Sequence, residues 1–176
     1  MRLFIAINFN DDTRNKLLAL RDELRFKSKN GNFSAPENIH LTLVFLGECD
    51  ARKTAAAKAA MDTINFGPFD VNIERVGRFK RDGGDIWWAG AEAKKPLVDL
   101  QRELTDKLTP AGFTLDRRNY SPHITLGRKV VTDAAPWQVE PIRETVTSIE
   151  LMKSERINGK LTYTAIYCIR AFKGDI

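Results

Sequence analysis

The chain contains two histidines, and each begins the same four-residue pattern: His40-Leu41-Thr42-Leu43 and His123-Ile124-Thr125-Leu126. Imidazole, with an ordinary pKa of about 6.5, is suited to proton transfer near neutrality. A pair can divide the work. One ring takes a proton from water and the other gives one to a departing alkoxide, each role typically worth roughly 10²–10⁴-fold in rate. If the pattern is a strand, alternation puts His40 with Thr42 on one face, and His123 with Thr125 likewise. The hydroxyls then stand where charge would build on non-bridging oxygens. In-line displacement at phosphorus needs attacking and leaving groups on opposite sides, which two opposed imidazoles supply.

Other chemistries fit less well. A lone histidine is more often a satisfied strand residue, but here a duplicated pattern accounts for both histidines. Catalytic zinc usually takes three protein ligands, and each histidine has a threonine beside it where a carboxylate or thiolate would be needed. No metal or other cofactor is expected. No Gly-x-Ser-x-Gly elbow is present to support a Ser–His–acid triad.

The two patterns are offset by 83 residues, the difference between positions 123 and 40. The same offset carries Leu3-Phe4-Ile5-Ala6 onto Ile86-Trp87-Trp88-Ala89, strand onto strand. Between strand and pattern each half holds one amphipathic helix. Leu17, Leu20 and Leu24 mark the first, Leu97, Leu100, Leu104 and Leu108 the second. Asn10 or Asp11 can cap the first, while Pro96 suits the first turn of the second and Gly112 its close. Residues 51–61 predict a further helix behind an Asp50 cap. Residues 69–79 predict a strand that turns at Asp82-Gly83-Gly84 into Trp87-Trp88, adjacent positions that cannot both face one side. Residues 145–157 and 161–172 predict two more strands joined by the hairpin signal Asn158-Gly159. The expected class is α+β: one bilobal domain over residues 1–176, built of two pseudo-symmetric lobes. Each lobe is a mainly antiparallel sheet with helices on its outer face, and the active-site cleft lies between them.

Composition sets broad limits. The sequence has 176 residues, 43% of them hydrophobic and 29% charged, as in an ordinary globular protein. The apolar run at residues 3–7 is too short to span a bilayer and lacks a cleavage site, so no membrane partner is expected. Two cysteines without C-x-x-C spacing point to a reducing, cytoplasmic setting, and nothing demands assembly beyond a monomer. A net charge of +5, with local clusters such as Arg78-Lys80-Arg81 and Arg128-Lys129, permits a polyanionic partner without demonstrating one.

These residues resemble the two-histidine phosphoesterase superfamily, defined by paired H-x-[ST]-x motifs. More narrowly, the chain is similar to the bacterial and archaeal RNA 2′,3′-cyclic phosphodiesterases, first named 2′–5′ RNA ligases. The resemblance runs through Arg2-Leu3-Phe4-Ile5-Ala6-Ile7, residues 38–47 around His40, and residues 120–128 around His123. It implies metal-free opening of a 2′,3′-cyclic phosphate on RNA to a 2′-phosphomonoester, with 2′–5′ end joining as a secondary reaction. It also implies His40 as proton donor and His123 as proton acceptor, roles that the pseudo-symmetry leaves interchangeable. Thr42, Thr125 and Arg128 become phosphate contacts. Strict alternation turns Arg128 away from His123, so this role requires a bulge near Gly127; otherwise Arg128 is a surface residue beside Lys129. Its counterpart at the offset is Phe45. Phe9, Phe45 and Tyr120 lie near the motifs but read as core more readily than as base-stacking surfaces. The competing functions are hydrolysis of small cyclic nucleotides and non-catalytic RNA binding, the second disfavoured by two intact titratable motifs.

Overall fold

The computed structural model describes residues 1–173. Its elements are β1 (Arg2–Asn8), α1 (Asp11–Phe26), β2 (Ser28–Phe33), β3 (His40–Glu48), α2 (Ala51–Asp62), β4 (Phe69–Phe79), β5 (Asp85–Ala91), α3 (Lys95–Leu108), β6 (His123–Thr132), β7 (Trp137–Val146), β8 (Ser148–Ile157) and β9 (Lys160–Arg170). A 3-10 turn, Pro36–Asn38, precedes β3. The helix starts follow from their caps. The Asn10 side chain accepts from the Thr13 amide at 2.9 Å and Asp50 accepts from Lys53 at 2.8 Å, each satisfying an N–H left open in the first turn. In α3, Pro96 occupies the first turn and all four leucines of the stripe are buried. Asn158 and Gly159, with φ of 52° and 75°, make the tight turn between β8 and β9.

Two antiparallel sheets result, in the orders β3-β1-β8-β9 and β2-β6-β5-β4-β7. Two strands, β2 and β7, were not anticipated. Both lie at the edges of the five-stranded sheet, where half-exposed polar sequence, Gly31 and Pro141 cost little. The expected strand at 145–157 therefore divides at Thr147, its first two residues ending β7 and the rest forming β8.

The helices are exchanged between the sheets. Helix α1 leaves β1 of the four-stranded sheet and packs on β2, β6 and β7 of the five-stranded one. Helix α3 leaves β5 of the five-stranded sheet and packs on α2 and on β3 of the other, reaching β4 as well. One buried apolar cluster consequently draws on both sheets, with Ile5, Leu41 and Leu151 from one and Ile73, Trp87 and Ile124 from the other.

The repeat survives with a correction. In β3 and β6 the 83-residue offset holds, but Ala6 pairs with Thr42 as Trp88 pairs with Thr125, an offset of 82 for β1 and β5. Ile5 thus corresponds to buried Trp87, and Ala6 to Trp88.

The exchange makes the two sheets one cooperative unit. Leu17→Ala, which empties the fully buried centre of α1, is expected to cost about 2–5 kcal/mol. The three tryptophans all lie in the five-stranded sheet, so their fluorescence reports that sheet alone while far-ultraviolet circular dichroism reports both. The two probes should give coincident urea transitions, and separated transitions would contradict the interlocked arrangement.

Candidate active site

Strands β3 and β6 belong to different sheets yet lie against each other. Each presents its histidine and threonine on one face, half-buried, with buried leucine or isoleucine between them. The His40 Nδ1–H donates to the Asn38 carbonyl at 2.7 Å, and the His123 Nδ1–H to the Ser121 carbonyl at 2.7 Å. A carbonyl can only accept, so both rings carry a proton on Nδ1 and keep Nε2 clear of that anchor. The two anchors have the same geometry, a carbonyl two residues before the ring. At His40 the Thr42 hydroxyl lies 2.9 Å from Nε2. The lobes are tied beside the pair, where the buried Tyr120 hydroxyl donates to the Thr42 carbonyl at 2.8 Å.

Arg128 joins this face through a bulge. Trp88 pairs with Thr125 and Trp87 with Gly127, so Leu126 is the extra residue, and Lys129 follows with φ of 53°. The alternation resets and exposed Arg128 comes within electrostatic reach of both imidazoles and of Tyr163. Strand β3 has the same bulge at Leu43, since Ala6 pairs with Thr42 and Ile5 with Val44. Phe45, the counterpart of Arg128, is therefore also turned out and is 64% exposed. Phe9 is in the core, as expected, and Tyr120 packs half-buried against it; Phe45 is the correction.

Aromatic rings wall the two histidines. Tyr163 stands edge-on to His40 at 5.1 Å, and Phe4 lies 4.9 Å from it. Phe79 stands edge-on to His123 at 5.2 Å, with Trp88 at 6.3 Å. Trp88 needs two glycines to lie there. A Cβ on Gly77 would sit 2.4 Å from its Cη2, and one on Gly90 2.8 Å from its Cζ3. Phe4, Phe79 and Tyr163 had no signal near the motifs, because sheet pairing brings them in from distant strands.

The walls also set the electrostatics. Burial lowers the His40 pKa below 6.5, the Asn38 hydrogen bond opposes this, and the charges of Arg128 and His123 lower it further. At His123 burial again lowers it, Ser121 opposes, and Arg128 adds to the lowering. Burial and Arg128 thus favour the neutral form of both rings. Among the described residues no three His, Cys, Asp or Glu side chains group as a metal-ligand set.

This arrangement can polarise a tetrahedral anion between two imidazoles, two hydroxyls and a guanidinium. A model of the 2′-5′ RNA ligase superfamily matches residues 7–169. An RNA 2′,3′-cyclic phosphodiesterase of Archaeoglobus fulgidus is 34% identical over 73% of this chain and 72% of its own. Its Escherichia coli namesake is 29% identical over 94% and 93%. Among solved structures, E. coli LigT complexed with 3′-AMP superposes with a TM-score of 0.84 at 25% identity, covering 98% of both chains.

The packing of Trp88 yields a direct check. Gly77→Ala should displace the indole, cost about 1–3 kcal/mol by overpacking and shift the tryptophan emission. Unchanged emission with full stability would contradict the flat seating of Trp88.

Proposed function

The chain belongs to the 2′-5′ RNA ligase superfamily, and on that footing we propose that it opens 2′,3′-cyclic phosphodiester ends of RNA to 2′-phosphomonoesters by metal-free acid–base catalysis. The names of its relatives support the activity. The observation that carries the mechanism is the matched Nδ1 anchoring of His40 and His123, which leaves two Nε2 atoms on one face beside Arg128.

In this reading residues 1–176 act as one bilobal unit. His123, neutral, takes a proton from water as its oxygen attacks phosphorus. His40, protonated, gives its proton to the 3′ oxygen as the P–O3′ bond breaks. Thr42 and Thr125 donate to the non-bridging oxygens, and Arg128 neutralises charge that grows on them. Solvent restores the two protonation states between turnovers. A 5′-hydroxyl in place of water would give a 2′–5′ linkage by the same displacement. The exposed Phe45 ring offers the terminal base a stacking surface, an interaction typically worth about 1–3 kcal/mol.

The test is conversion, in EDTA, of an oligonucleotide ending in a 2′,3′-cyclic phosphate to a 2′-phosphate end. Absence of conversion by the wild type would refute the proposal. His40→Ala and His123→Ala should each abolish most turnover while keeping the wild-type circular dichroism, and robust activity in either would contradict the roles given. Phe45→Ala should weaken substrate binding with a smaller effect on kcat.

The pH profile follows from the shifts. Acid–base work needs one ring charged and one neutral, and both pKa values are lowered, so kcat/KM should peak below pH 6.5. A bound anionic phosphodiester raises both values, so the kcat profile should lie at higher pH. Coincident profiles, or a monotonic one, would count against a titrating pair.

A further inference from the structure

The face of the four-stranded sheet that carries His40 continues past the active site into a groove of about 590 Å³. Arg2, Glu48, Ser154, Arg156 and Leu161 line it, and pairing across the sheet sets in rows the surface that leads to it from His40. Phe45 and Phe4 lie opposite each other, with Met152 beyond, and the next row is Glu48, Arg2, Ser154 and Tyr163. Arg156 and Leu161 follow as a pair toward the β8–β9 turn. Tyr163 stands between the two, since its ring meets His40 while its hydroxyl lies in the fields of Arg128 and Arg2.

We propose that this groove holds the RNA strand on the 5′ side of the cyclic end, with Arg2 and Arg156 on its phosphates; the inference rests on the function proposed above. Three observations support it. First, direction: the leaving 3′ oxygen belongs to the nucleoside, so the histidine that protonates it stands on the nucleoside side and the water lies toward His123. His40 and exposed Phe45 are both on the four-stranded sheet, and the chain attached to that nucleoside leaves over the same sheet. Second, continuity: Arg2 is two residues beyond Phe4 on the same face, about 6–7 Å along the strand, so the groove begins where a base on Phe45 ends. Third, charge: among the described residues Arg2 and Arg156 form no ion pair, and Arg156 contacts only the Gly159 carbonyl at 3.2 Å. The acids lining the groove are engaged, Glu155 by Lys153 at 3.2 Å and Glu48 by the Met1 ammonium at 3.5 Å. Arg75, beside His123 across Trp88, is instead occupied, lying over that ring next to Glu74.

The groove would then separate an RNA end from a free cyclic nucleotide, which has no 5′ neighbour to place in it. The test compares kcat/KM on a nucleoside 2′,3′-cyclic monophosphate and on a tetranucleotide ending in the same group, for wild type, Arg2→Gln, Arg156→Gln and the double variant. Wild type should prefer the tetranucleotide. Each substitution should lower kcat/KM on the tetranucleotide and leave the mononucleotide unchanged. The slope of log kcat/KM against log salt should become less steep by about 0.7 per arginine lost. Arg2→Lys and Arg156→Lys should retain the wild-type slope. Equal use of both substrates by wild type, unaffected by the substitutions, would overturn the groove while leaving the cyclic phosphodiesterase reading intact. Equal losses on both substrates would overturn it too, since Arg2 and Arg156 would then act on the site and not on the strand. A wild type that turns over neither substrate would refute the active-site reading, and the groove with it.

Discussion

The close approach of β3 and β6 is the constraint on which this molecule depends. The strands share no ladder, so backbone hydrogen bonding between them cannot hold the two histidines in register. The fold meets this by crossing its helices over. Each of the two strands is backed by a helix that grew out of the other sheet, so neither sheet can slide without disturbing the other's core. The Tyr120 hydroxyl on the Thr42 carbonyl then fixes the approach at the point where it matters.

The pseudo-symmetry supplies matching supports, and the two lobes depart from it at a few positions. Both rings are anchored through Nδ1 by a carbonyl two residues upstream, and both strands bulge one residue after the threonine. The bulges turn Phe45 outward on one side and Arg128 on the other, a flat apolar ring against a cation. On the floor, Ala6 and Asn8 of one lobe correspond to Trp88 and Gly90 of the other. A large indole fills the His123 side, while the His40 side opens toward the groove.

How much of this could be read from the residues depended on whether the signal was local. The helices were legible because leucine spacing, Asn10, Asp50 and Pro96 act within a few positions, and the histidine pair was legible because the motif repeats. Edge strands β2 and β7 were not, since strands half in solvent carry no apolar alternation. The register of β1 against β5 was off by one, because two tryptophans in succession accept either alignment until one of them must be buried. Phe45 is exposed where strict alternation would bury it, because alternation assumes an unbroken ladder and its orientation depends on a bulge no single residue announces. Tyr163 reaches His40 across more than a hundred residues, a distance over which sequence pattern holds no information.

The connectivity of the four-stranded sheet has a consequence for how the chain comes to life. Its two inner strands, β1 and β8, lie at opposite ends of the described sequence, and the five-stranded sheet is inserted between them. At synthesis rates of about 5–20 residues per second, the first inner strand waits roughly 7–30 seconds for its second neighbour. Throughout that interval one edge of β1 stands open, and toward its end the growing chain has both histidine motifs but not the sheet that steadies the first of them. Completion of the sheet that carries His40 therefore depends on the β8–β9 hairpin.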